Sequence, residues 1–523
     1  LYRPATSQGA VMLARIRSAA ILGIDAYPVE VEVDISSGLP SFATVGLPNG
    51  TVREGRERIG AALTNAGFEF PLRRITVNLA PADIRKFGSG LDLPIALGLL
   101  AASGQLRAEG LDRLLVVGEL GLEGDLRPVR GALPLALMAR TIGCARLVLP
   151  LDNVSEAAVV QGVEVRGARS LAEVCAYLAG DLTLDPARID LPALMAERRR
   201  DDVDFADVRS QAAAKRALEV AAAGAHNLLL VGPPGAGKTM LARRLPTILP
   251  SMTLDEALET TKIHSVAGLL GAERSLCAVR PFRAPHHTIS DAGLIGGGAV
   301  PRPGEVSLAH GGVLFLDELP EFRRNVLEVL RQPLEDGTVT LSRAAVSLTF
   351  PAQFMLAAAM NPCACGFYGD SVHTCRCAEA DVERYRSRVS GPLLDRIDIH
   401  LEVPTVPYRD LVAGEPEEPS AVVRQRVELA RVRQRDRFRD RPGLHANAHM
   451  TARDLRRYCP LAEPVELLLR EAVARLGLSA RAYHRVLKIA RTIADLAGAD
   501  ELATTHVSEA IQYRSLDRRK ATV

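Results

Sequence analysis

A glycine-rich stretch in the middle of the chain has the residue types and spacing of a phosphate-binding loop. The apolar run Leu228–Val231 is typical of a buried parallel strand, and a helical pattern follows the loop. The loop fits GxxxxGK followed by Ser or Thr, and its residues are Gly232, Pro233, Pro234, Gly235, Ala236, Gly237, Lys238 and Thr239. Glycines let the backbone wrap around phosphates, while backbone N–H groups and the helix N-terminus add partial positive charge. We therefore expect ATP to bind here, with Lys238 at the β- and γ-phosphates and Thr239 as a Mg²⁺ ligand.

Two acidic residues end a second apolar run, Val313–Leu316. Parallel strands present their carboxyl ends at one edge of a sheet, so these acids are expected beside the phosphate-binding loop. Asp317 can hold Mg²⁺ through its water shell, and Glu318 can polarise the attacking water. An apolar run ending in two acids is by itself also an ordinary strand end, but the upstream loop favours a hydrolytic role.

Three further polar residues complete a candidate hydrolytic site. Asn361 ends a third strand-like run and is placed to orient the lytic water. Arg396 is a candidate for stabilising the charge on a γ-phosphate bound by a neighbouring subunit. Its alternative is a surface ion pair with Asp395 or Asp398. Arg481, at the start of a helical pattern, is the candidate for a second phosphate sensor, and its alternative is an ordinary helix-start arginine.

Four clustered cysteines follow Asn361. Cys363 and Cys365 form one C-x-C pair, Cys375 and Cys377 form another, and nine residues separate the pairs. Four thiolates on one loop could close a tetrahedral zinc site, although C-x-C is tighter than the usual spacing and His373 could replace one thiol. The other four cysteines are scattered singly, which is typical of reduced thiols in a cytosolic protein.

The order of these motifs resembles that of an AAA+ ATPase. The interval between Lys238 and Asp317 is long, and a β-hairpin pattern over Gly337–Phe354 precedes the Asn361 strand. These insertions resemble those of the branch that includes magnesium chelatase and MCM helicases. The resemblance implies an αβα P-loop core with a helix-2 insert and a pre-sensor hairpin, and a C-terminal helical lid.

The N-terminal third alternates strand-like and helical patterns and is expected to be an α/β domain. Its stretch LAPADIRKFGSGLDLPIALGLLAASGQL resembles the proteolytic domain of the Lon family, which uses a serine nucleophile and a lysine. The resemblance places Gly90 at the serine position and Pro134 at the lysine position. Ser89 lies one residue away from the first position. We therefore expect no peptidase activity and a role in contacting protein or DNA.

The Lon-like domain and the chelatase-type core together resemble the ComM/YifB family of magnesium-chelatase-like proteins. We expect an extension at 1–11 before a start at Met12, a Lon-like domain at 12–182, a linker at 183–204, an ATPase core at 205–408 and a basic helix with a helical lid at 409–523. The resemblance implies a homo-hexameric ATP-driven DNA helicase or translocase that promotes branch migration during homologous recombination in natural transformation. A magnesium chelatase motor subunit and a protein-remodelling chaperone remain as alternatives.

Basic residues on the two insertions are candidates for contacts with DNA phosphates, because lysine and arginine supply most non-specific DNA affinity. These candidates are Arg280, Arg283, His286, His287, Arg302 and Arg343. Their alternative role is to cap loops or bridge subunits. A metal role for the two histidines is disfavoured, because neighbours on a strand point to opposite faces. The arginine-rich run Val422–Gly443 is interpreted as a basic helix that either grips DNA or packs on the next subunit.

The composition limits the classes of protein that fit. The 523 residues carry a formal net charge of only +2, so DNA binding must depend on local basic surface. A hydrophobic content of 47% is ample for several cores. No uncharged apolar run of membrane-spanning length and no leader pattern is present, so we expect a cytoplasmic protein without a membrane partner.

Overall fold

The computed structural model describes residues 13–107, 111–196, 203–270, 275–298, 301–343, 346–370, 372–406, 417–441 and 443–514. They form two compact units. The first unit holds the described residues up to Ala196 together with Ala257–Cys277, and the second holds the rest. Met12 and the expected extension at 1–11 lie outside the described residues.

The first unit is built on a mixed seven-stranded sheet. Its strands are β1 (Leu13–Leu22), β2 (Asp25–Ser36), β3 (Ser41–Val45), β4 (Arg74–Ala80), β5 (Leu114–Val116), β8 (Arg146–Pro150) and β9 (Glu164–Ala168). They run in the order β3-β4-β2-β1-β5-β8-β9. β1, β2 and β4 are antiparallel neighbours, whereas β1, β5, β8 and β9 are parallel. The short strands β6 (Glu119–Leu120) and β7 (Leu126–Arg127) form a separate antiparallel pair.

Helices cover this sheet. They span Gly50–Asn65, Asp92–Ala102, Ala132–Thr141, Val154–Ala157, Leu171–Ala179 and Leu191–Ala196. Every residue of Asp92–Ala102 is buried, which explains why its sequence is apolar on all sides rather than amphipathic. The α/β character expected for this region is confirmed.

The boundaries of the first unit differ from the sequence-based division in two places. Residues Ala257–Cys277 were expected in the ATPase core, but Lys262 pairs with Asp25 at 2.5 Å and Ser265 bonds to the buried Glu156. The expected linker is partly packed, because Leu184 is buried and its carbonyl accepts a hydrogen bond from Arg166. Contacts between residues distant in the chain decide both places, and local composition does not reveal them.

The second unit contains an all-parallel five-stranded sheet. Its strands are β10 (Leu228–Val231), β11 (Phe282–Arg283), β14 (Val313–Leu316), β17 (Met355–Met360) and β18 (Ile399–Glu402), in the order β11-β14-β17-β10-β18. β10 is an interior strand, since it pairs with β17 on one side and with β18 on the other. β10, β14 and β17 are completely buried, as their continuous apolar sequences predict. Because all five are parallel, the loops that follow them emerge at one edge.

Two hairpins interrupt the core of the second unit. β12 (Gly296–Gly297) pairs with β13 (Arg302–Pro303), and β15 (Thr338–Arg343) pairs with β16 (Val346–Pro351). The second of these is the hairpin predicted before the Asn361 strand. The core helices span Ala212–Gly224, Lys238–Ile248, Asp291–Ile295, Glu305–Leu308, Arg324–Glu328, Arg331–Asp336, Glu379–Arg386 and Gly391–Leu394, whereas most of helix Leu254–Ala267 belongs to the first unit.

The C-terminal region of the second unit is helical. Its helices span Ser420–Arg437, Ala452–Tyr458, Glu463–Leu476, Ala480–Leu496 and Thr504–Gln512. Their apolar faces share one continuous core with the parallel sheet and with helix Ala212–Gly224. Across the described parts of both units, no helix combines the length and the apolarity that a bilayer crossing requires.

Candidate active site

The loop after β10 has the backbone shape that a phosphate site requires. Gly235 and Gly237 adopt positive φ angles of 78° and 85°, a left-handed conformation that glycine adopts without strain. At Gly232 a Cβ atom would lie 2.2 Å from the carbonyl oxygen of Val403, so only glycine fits beside β18. Gly237 also caps helix Lys238–Ile248, whose N-terminal N–H groups therefore face the loop.

The Lys238 ammonium lies inside this loop. It donates to the carbonyl oxygens of Gly232 at 2.7 Å and Pro233 at 2.9 Å, and to Oδ1 of Asn361 at 3.1 Å. The side chain is almost buried, at 9% exposure. Burial lowers the pKa of Lys238, and the negative charges of Asp317 and Glu318 oppose that shift. The loop lysine and the polar residue that ends β17 are therefore in direct contact.

The expected magnesium ligands are also in contact. The Thr239 hydroxyl donates to Oδ2 of Asp317 at 2.7 Å, and Oδ1 of Asp317 accepts the backbone N–H of Glu318 at 3.0 Å. A hydroxyl and a carboxylate oxygen at this separation are hard ligands suited to Mg²⁺, which usually keeps several waters. The two residues thus fit the magnesium role predicted for them.

Glu318 is held in an unusual backbone conformation, with φ 52° and ψ 48°. A non-glycine residue in the left-handed region costs on the order of 1 kcal/mol or more, and such strain clusters at functional sites. Its side chain is 61% exposed, and its Oε2 lies 3.7 Å from Nδ1 of His287. The carboxylate is therefore accessible to water at the edge where Lys238 and Asp317 lie.

His287 was considered from the sequence only as a DNA contact or metal ligand. The reasoning that His286 and His287 point to opposite faces of a strand is wrong, because both follow β11 in a loop and their rings lie 4.0 Å apart. His287 also meets the ring of Phe322 edge-on. Its position next to Glu318 depends on the fold of a loop about thirty residues upstream, and no local pattern signals it.

The segment before helix Ala212–Gly224 is fixed to the phosphate-binding loop and its helix. Arg244 bonds to the carbonyl oxygen of Asp204 at 2.7 Å and to the carboxylate of Asp207 at 2.8 Å. Gln211 adopts a left-handed conformation and donates its side-chain amide to the Ala236 carbonyl at 2.8 Å. Gln211 was not singled out from the sequence for this contact with the loop.

Arg396 lies at the opposite edge of the parallel sheet. Its carbonyl oxygen accepts a hydrogen bond from Asn227, the residue just before β10, at 2.9 Å. Its guanidinium bonds to the Pro392 carbonyl at 2.6 Å and to Glu335. The side chain is 8% exposed, and its buried Nε has no hydrogen-bond partner among the described residues. The surface ion pairs with Asp395 or Asp398 that were considered from the sequence do not form; the partner is Glu335.

Arg481 lies near Arg396. Both line a cavity of about 530 Å³ that also includes Glu335 and the residues preceding β10 and β17. Arg481 is exposed, and its charge contributes to a lowered pKa of Glu335, whose main cause is the Arg396 hydrogen bond. The two candidate arginines are thus brought together with each other, on the edge away from Lys238.

The four clustered cysteines converge on one point. Their sulfur atoms all lie within 4.8 Å of one another. Backbone N–H groups of Arg376 and Phe367 lower the pKa of the Cys365 thiol to about 6. His373, the alternative ligand, instead bonds to Asp370 at 2.9 Å. The four thiols could therefore hold a metal ion without the histidine.

The candidate DNA contacts fall into two groups. Arg280 bonds to the carbonyl oxygens of Pro250 and Gly311 and pairs with Glu256, while Arg283 pairs with Glu305 through two bonds of 2.6 and 2.7 Å. These contacts match the alternative, loop-tying role. Arg302, on β13, is exposed. Arg343 ends β15 opposite Val346 at the tip of the long hairpin, and its side chain is outside the described part of the structure.

The arginine-rich run forms helix Ser420–Arg437 and the turn after it. Seven of its eight arginines bond to described residues of the second unit. The partners are Thr247 for Arg424, Glu219 and Glu418 for Arg426, His445 and Ala222 for Arg431, Asp500 for Arg433, Asp495 for Arg437, Asp436 for Arg439 and Asp454 for Arg441. Most of these partners lie far away in the sequence, so the neighbouring residues alone do not show that the arginine charges are compensated. The helix is mainly a packing element.

The Lon-like loop of the first unit is crowded at the position expected for the nucleophile. A Cβ atom on Gly90 would lie 3.1 Å from Cγ1 of Val117. Ser89 donates to Glu119, and the buried Lys86 donates to the Pro81 carbonyl. Pro134 is buried inside helix Ala132–Thr141. The described residues around Gly90 and Pro134 therefore present no serine–lysine dyad.

Comparison with known proteins agrees with these observations along the chain. The family "Magnesium chelatase, subunit ChlI" matches residues 204–411, "Subunit ChlI of Mg-chelatase" matches 31–153, and "Magnesium chelatase, subunit ChlI C-terminal" matches 417–514. The chain is also similar to Lon protease 2 of Bacillus subtilis, with 32% identity over 173 residues, which is 30% of each chain.

Two full-length relatives are much more similar. The uncharacterized protein YifB of Escherichia coli K12 is 46% identical over 511 residues, covering 97% of this chain and 98% of that protein. The competence protein ComM of Haemophilus influenzae is 46% identical over 510 residues, with the same coverage. The chain therefore belongs to the ComM/YifB family of magnesium-chelatase-type proteins.

Proposed function

We propose that the protein is a Mg²⁺-dependent ATPase that forms a hexameric ring and uses hydrolysis to move DNA in branch migration. The observation that carries the hydrolytic part is the set of contacts among four side chains at the carboxyl edge of the parallel sheet. Lys238 meets Asn361 at 3.1 Å, and Thr239 meets Asp317 at 2.7 Å. Three separate segments supply these residues, and their convergence fits phosphoryl transfer to water.

Each residue has a role that its position supports. The loop amides and Lys238 would bind the phosphates, and Thr239 with Asp317 would hold Mg²⁺, which neutralises phosphate charge when bound. The exposed Glu318 carboxylate would accept a proton from the attacking water, and Asn361 would orient that water. Catalysis by these groups is mainly positioning and electrostatic stabilisation.

The position of Arg396 supports a site shared between subunits. Strands of four to six residues separate the two sheet edges by about 13–20 Å at about 3.3 Å per residue. An arginine at the amino edge cannot span this distance to its own phosphate-binding loop. Arg396, and Arg481 beside it, would instead reach the nucleotide of a neighbouring copy. Repeating this contact from each copy to the next closes the assembly into a ring.

The DNA part of the proposal is supported by the relative named competence protein ComM and by the hairpins. Arg302 is exposed on the β12–β13 hairpin, and Arg343 lies at the tip of the β15–β16 hairpin. Arginines on projecting hairpins can contact phosphates without reading sequence, which a translocating motor requires. The Lon-like unit would contact DNA or a partner protein.

The test is ATP hydrolysis by the full chain with and without single-stranded, forked and four-way DNA. We expect DNA to stimulate hydrolysis and the four-way junction to be converted to duplexes in an ATP-dependent manner. Hydrolysis that no DNA stimulates would favour the magnesium chelatase motor or the protein-remodelling chaperone. Absence of hydrolysis under all conditions would contradict the proposal entirely.

The hairpin arginines provide a sharper version of this test. Arg302→Ala and Arg343→Ala should each weaken DNA binding at all sequences and reduce the slope of log affinity against log salt by about one. Arg384→Ala is the matched control, because Arg384 is an exposed arginine already paired with Asp381 at 2.6 Å. If all three variants changed DNA affinity and its salt dependence equally, the hairpin arginines would not be part of the DNA interface.

A further inference from the structure

The loop that carries the four clustered cysteines has the geometry of a tetrahedral metal site. Cys363 Sγ lies 3.4 Å from Cys365 Sγ and 3.7 Å from Cys375 Sγ, and the last two sulfurs are 3.5 Å apart. A tetrahedron of sulfurs with Zn–S bonds of 2.3 Å has edges of roughly 3.8 Å. Cys363 is buried and the other three thiols are partly buried, so one ion would be enclosed by the loop.

The start of this loop is joined to the candidate active site through Asn361. Cys363 follows Asn361 by two residues, and Asn361 accepts a hydrogen bond from Lys238. Burial raises the pKa of the Tyr385 hydroxyl to about 12, and the nearby backbone of Asn361 opposes that rise. Arg386, next along the same helix, donates to the Pro362 carbonyl at 3.0 Å. The position of Asn361 is therefore set from both sides by the cysteine loop and helix Glu379–Arg386.

A second contact joins the loop to the phosphate-binding loop. Gly366 has φ 90° and packs on the ring of Pro234, where a Cβ atom would lie 2.6 Å from Cδ and 2.7 Å from Cγ. The Gly366 N–H donates to the Cys363 carbonyl at 3.0 Å, so the turn that carries Gly366 begins at a thiol of the cluster. Any rearrangement of the cysteines would move this surface against Pro234.

We propose that Cys363, Cys365, Cys375 and Cys377 bind one zinc ion, and that the zinc-bound loop positions Asn361 and Pro234 for nucleotide binding and hydrolysis. Binding of a structural metal supplies folding energy to the segment that carries the ligands. Without the ion, residues 363–377 lose their internal crosslink, and both contacts with the active site lose their support. The role in hydrolysis rests on the proposed ATPase function, whereas the role in nucleotide binding does not.

The test begins with the full chain purified without chelators. We expect one zinc per chain by elemental analysis. Removing zinc with a thiol reagent and a chelator should weaken binding of a fluorescent ADP analogue and slow hydrolysis by about ten- to a hundredfold, the cost of misplacing positioning groups by under an ångström. Restoring reduced thiols and zinc should restore both. A zinc-free preparation, or stripped protein with unchanged nucleotide affinity, would overturn the proposal.

Two glycine variants separate the contact with Pro234 from general damage to the loop. Gly366→Ala adds a Cβ atom against Pro234, whereas Gly369→Ala adds one at a similar φ of 79° with no described atom within 4 Å. Both variants place a side chain in the left-handed region, so they share the same kind of backbone strain. We expect only Gly366→Ala to weaken ADP binding while zinc content stays at one. Equal ADP affinities would contradict the proposal, and if Gly366→Ala loses zinc, the stripping measurement on the unmutated chain decides.

The ADP measurement also separates this proposal from the proposed function. If the chain hydrolyses no ATP but its ADP affinity depends on zinc, the ATPase proposal is wrong and the loop's role in nucleotide binding is supported. If the chain hydrolyses ATP at the same rate with and without zinc, the ATPase proposal is supported and the zinc-bound loop has no role in hydrolysis.

Discussion

The residues at the carboxyl edge of the parallel sheet have different tasks because their surroundings differ. Lys238 is nearly buried and uses its donors on two carbonyls and on Asn361, whereas Glu318 is 61% exposed and has no part in packing. Asp317 lies between them, bonded to the Thr239 hydroxyl. In the proposed mechanism, the buried cation would bind phosphate, the bonded carboxylate would hold Mg²⁺, and the exposed carboxylate beside His287 would accept the proton.

Glu318→Gln should leave nucleotide binding intact and slow hydrolysis by about 10²- to 10⁴-fold, because the amide cannot accept the proton of the attacking water. The change is nearly isosteric, so folding is not expected to suffer. Steady-state ATPase rates and ADP-analogue titrations measure the two effects. Glu321→Gln is the control, since that nearby acid pairs with Arg388 at the surface. If Glu318→Gln hydrolysed ATP at the parent rate, Glu318 would not be the proton acceptor.

The sequence predicts this edge well because each of its motifs is local. The loop from Gly232 to Thr239 and the acids after Leu316 can be recognised without knowing which residues they contact in the fold. The contacts of Arg396 with Glu335 and of Glu318 with His287 could not be predicted, because they depend on how loops from different parts of the chain fold together.

Among the elements, β18 and helix Ala480–Leu496 are joined by a buried polar network. Asp398, which precedes β18, accepts hydrogen bonds from His226 at 3.2 Å and from Arg485 at 3.2 Å. His226 also bonds to Thr492 on the same helix at 2.8 Å. Burial alone would raise the pKa of Asp398, but the His226 hydrogen bond and the Arg485 charge outweigh it and hold the pKa well below its usual range. This network fastens the C-terminal helices to the sheet edge near Arg396.

Asp398→Asn should lower the free energy of unfolding of the second unit at pH 7 by about 3 kcal/mol, because Arg485 is left buried without its partner charge. The folded-state pKa of Asp398 is depressed, so its stabilising contribution is present above the unfolded pKa of about 4 and lost as the pH falls below it. In denaturant unfolding, the difference in the free energy of unfolding between parent and variant should therefore become smaller between about pH 4 and pH 3.

Asp500→Asn is the control for this prediction. Asp500 pairs with Arg433 at 3.0 Å, but its side chain is 95% exposed, so the variant should change stability by less than about 1 kcal/mol. If the loss of unfolding free energy in Asp398→Asn did not change with pH, the ionised carboxylate of Asp398 would not be what stabilises the contact between β18 and helix Ala480–Leu496.

Element boundaries followed from the sequence better than the roles of elements did. Strands β10, β14 and β17, the hairpin β15–β16 and helix Ser420–Arg437 are where the patterns predicted them. The role of that helix could not be predicted, because Arg426 and Arg437 pair with Glu219 and Asp495, which lie more than fifty residues away. An arginine run indicates a helix with long polar side chains, and only the packing shows whether those side chains are free.

For the whole molecule, the separation of Lys238 and Arg396 on opposite sheet edges is the feature with the largest consequence. In the proposed function, a single chain would hold one half of two different sites: the phosphate-binding half at the carboxyl edge and the arginine half at the amino edge. Each copy would supply its arginines to the next, and we expect an isolated chain to hydrolyse ATP poorly. The resemblance to the Lon family places Gly90 and Pro134 at the positions of its serine and lysine, so we expect no peptide hydrolysis from that region.

The most direct test of this account is to mix two inactive variants. Glu318→Gln retains Arg396 but lacks the proton acceptor, and Arg396→Ala retains Glu318 but lacks the arginine. The account predicts that each is inactive alone and that co-assembled rings recover a substantial share of the parent ATPase rate, because an intact site forms wherever the Arg396 variant receives the arginine of a Glu318 variant. Mixed rings, verified by native mass spectrometry, that stayed as inactive as the separate variants would contradict the shared site.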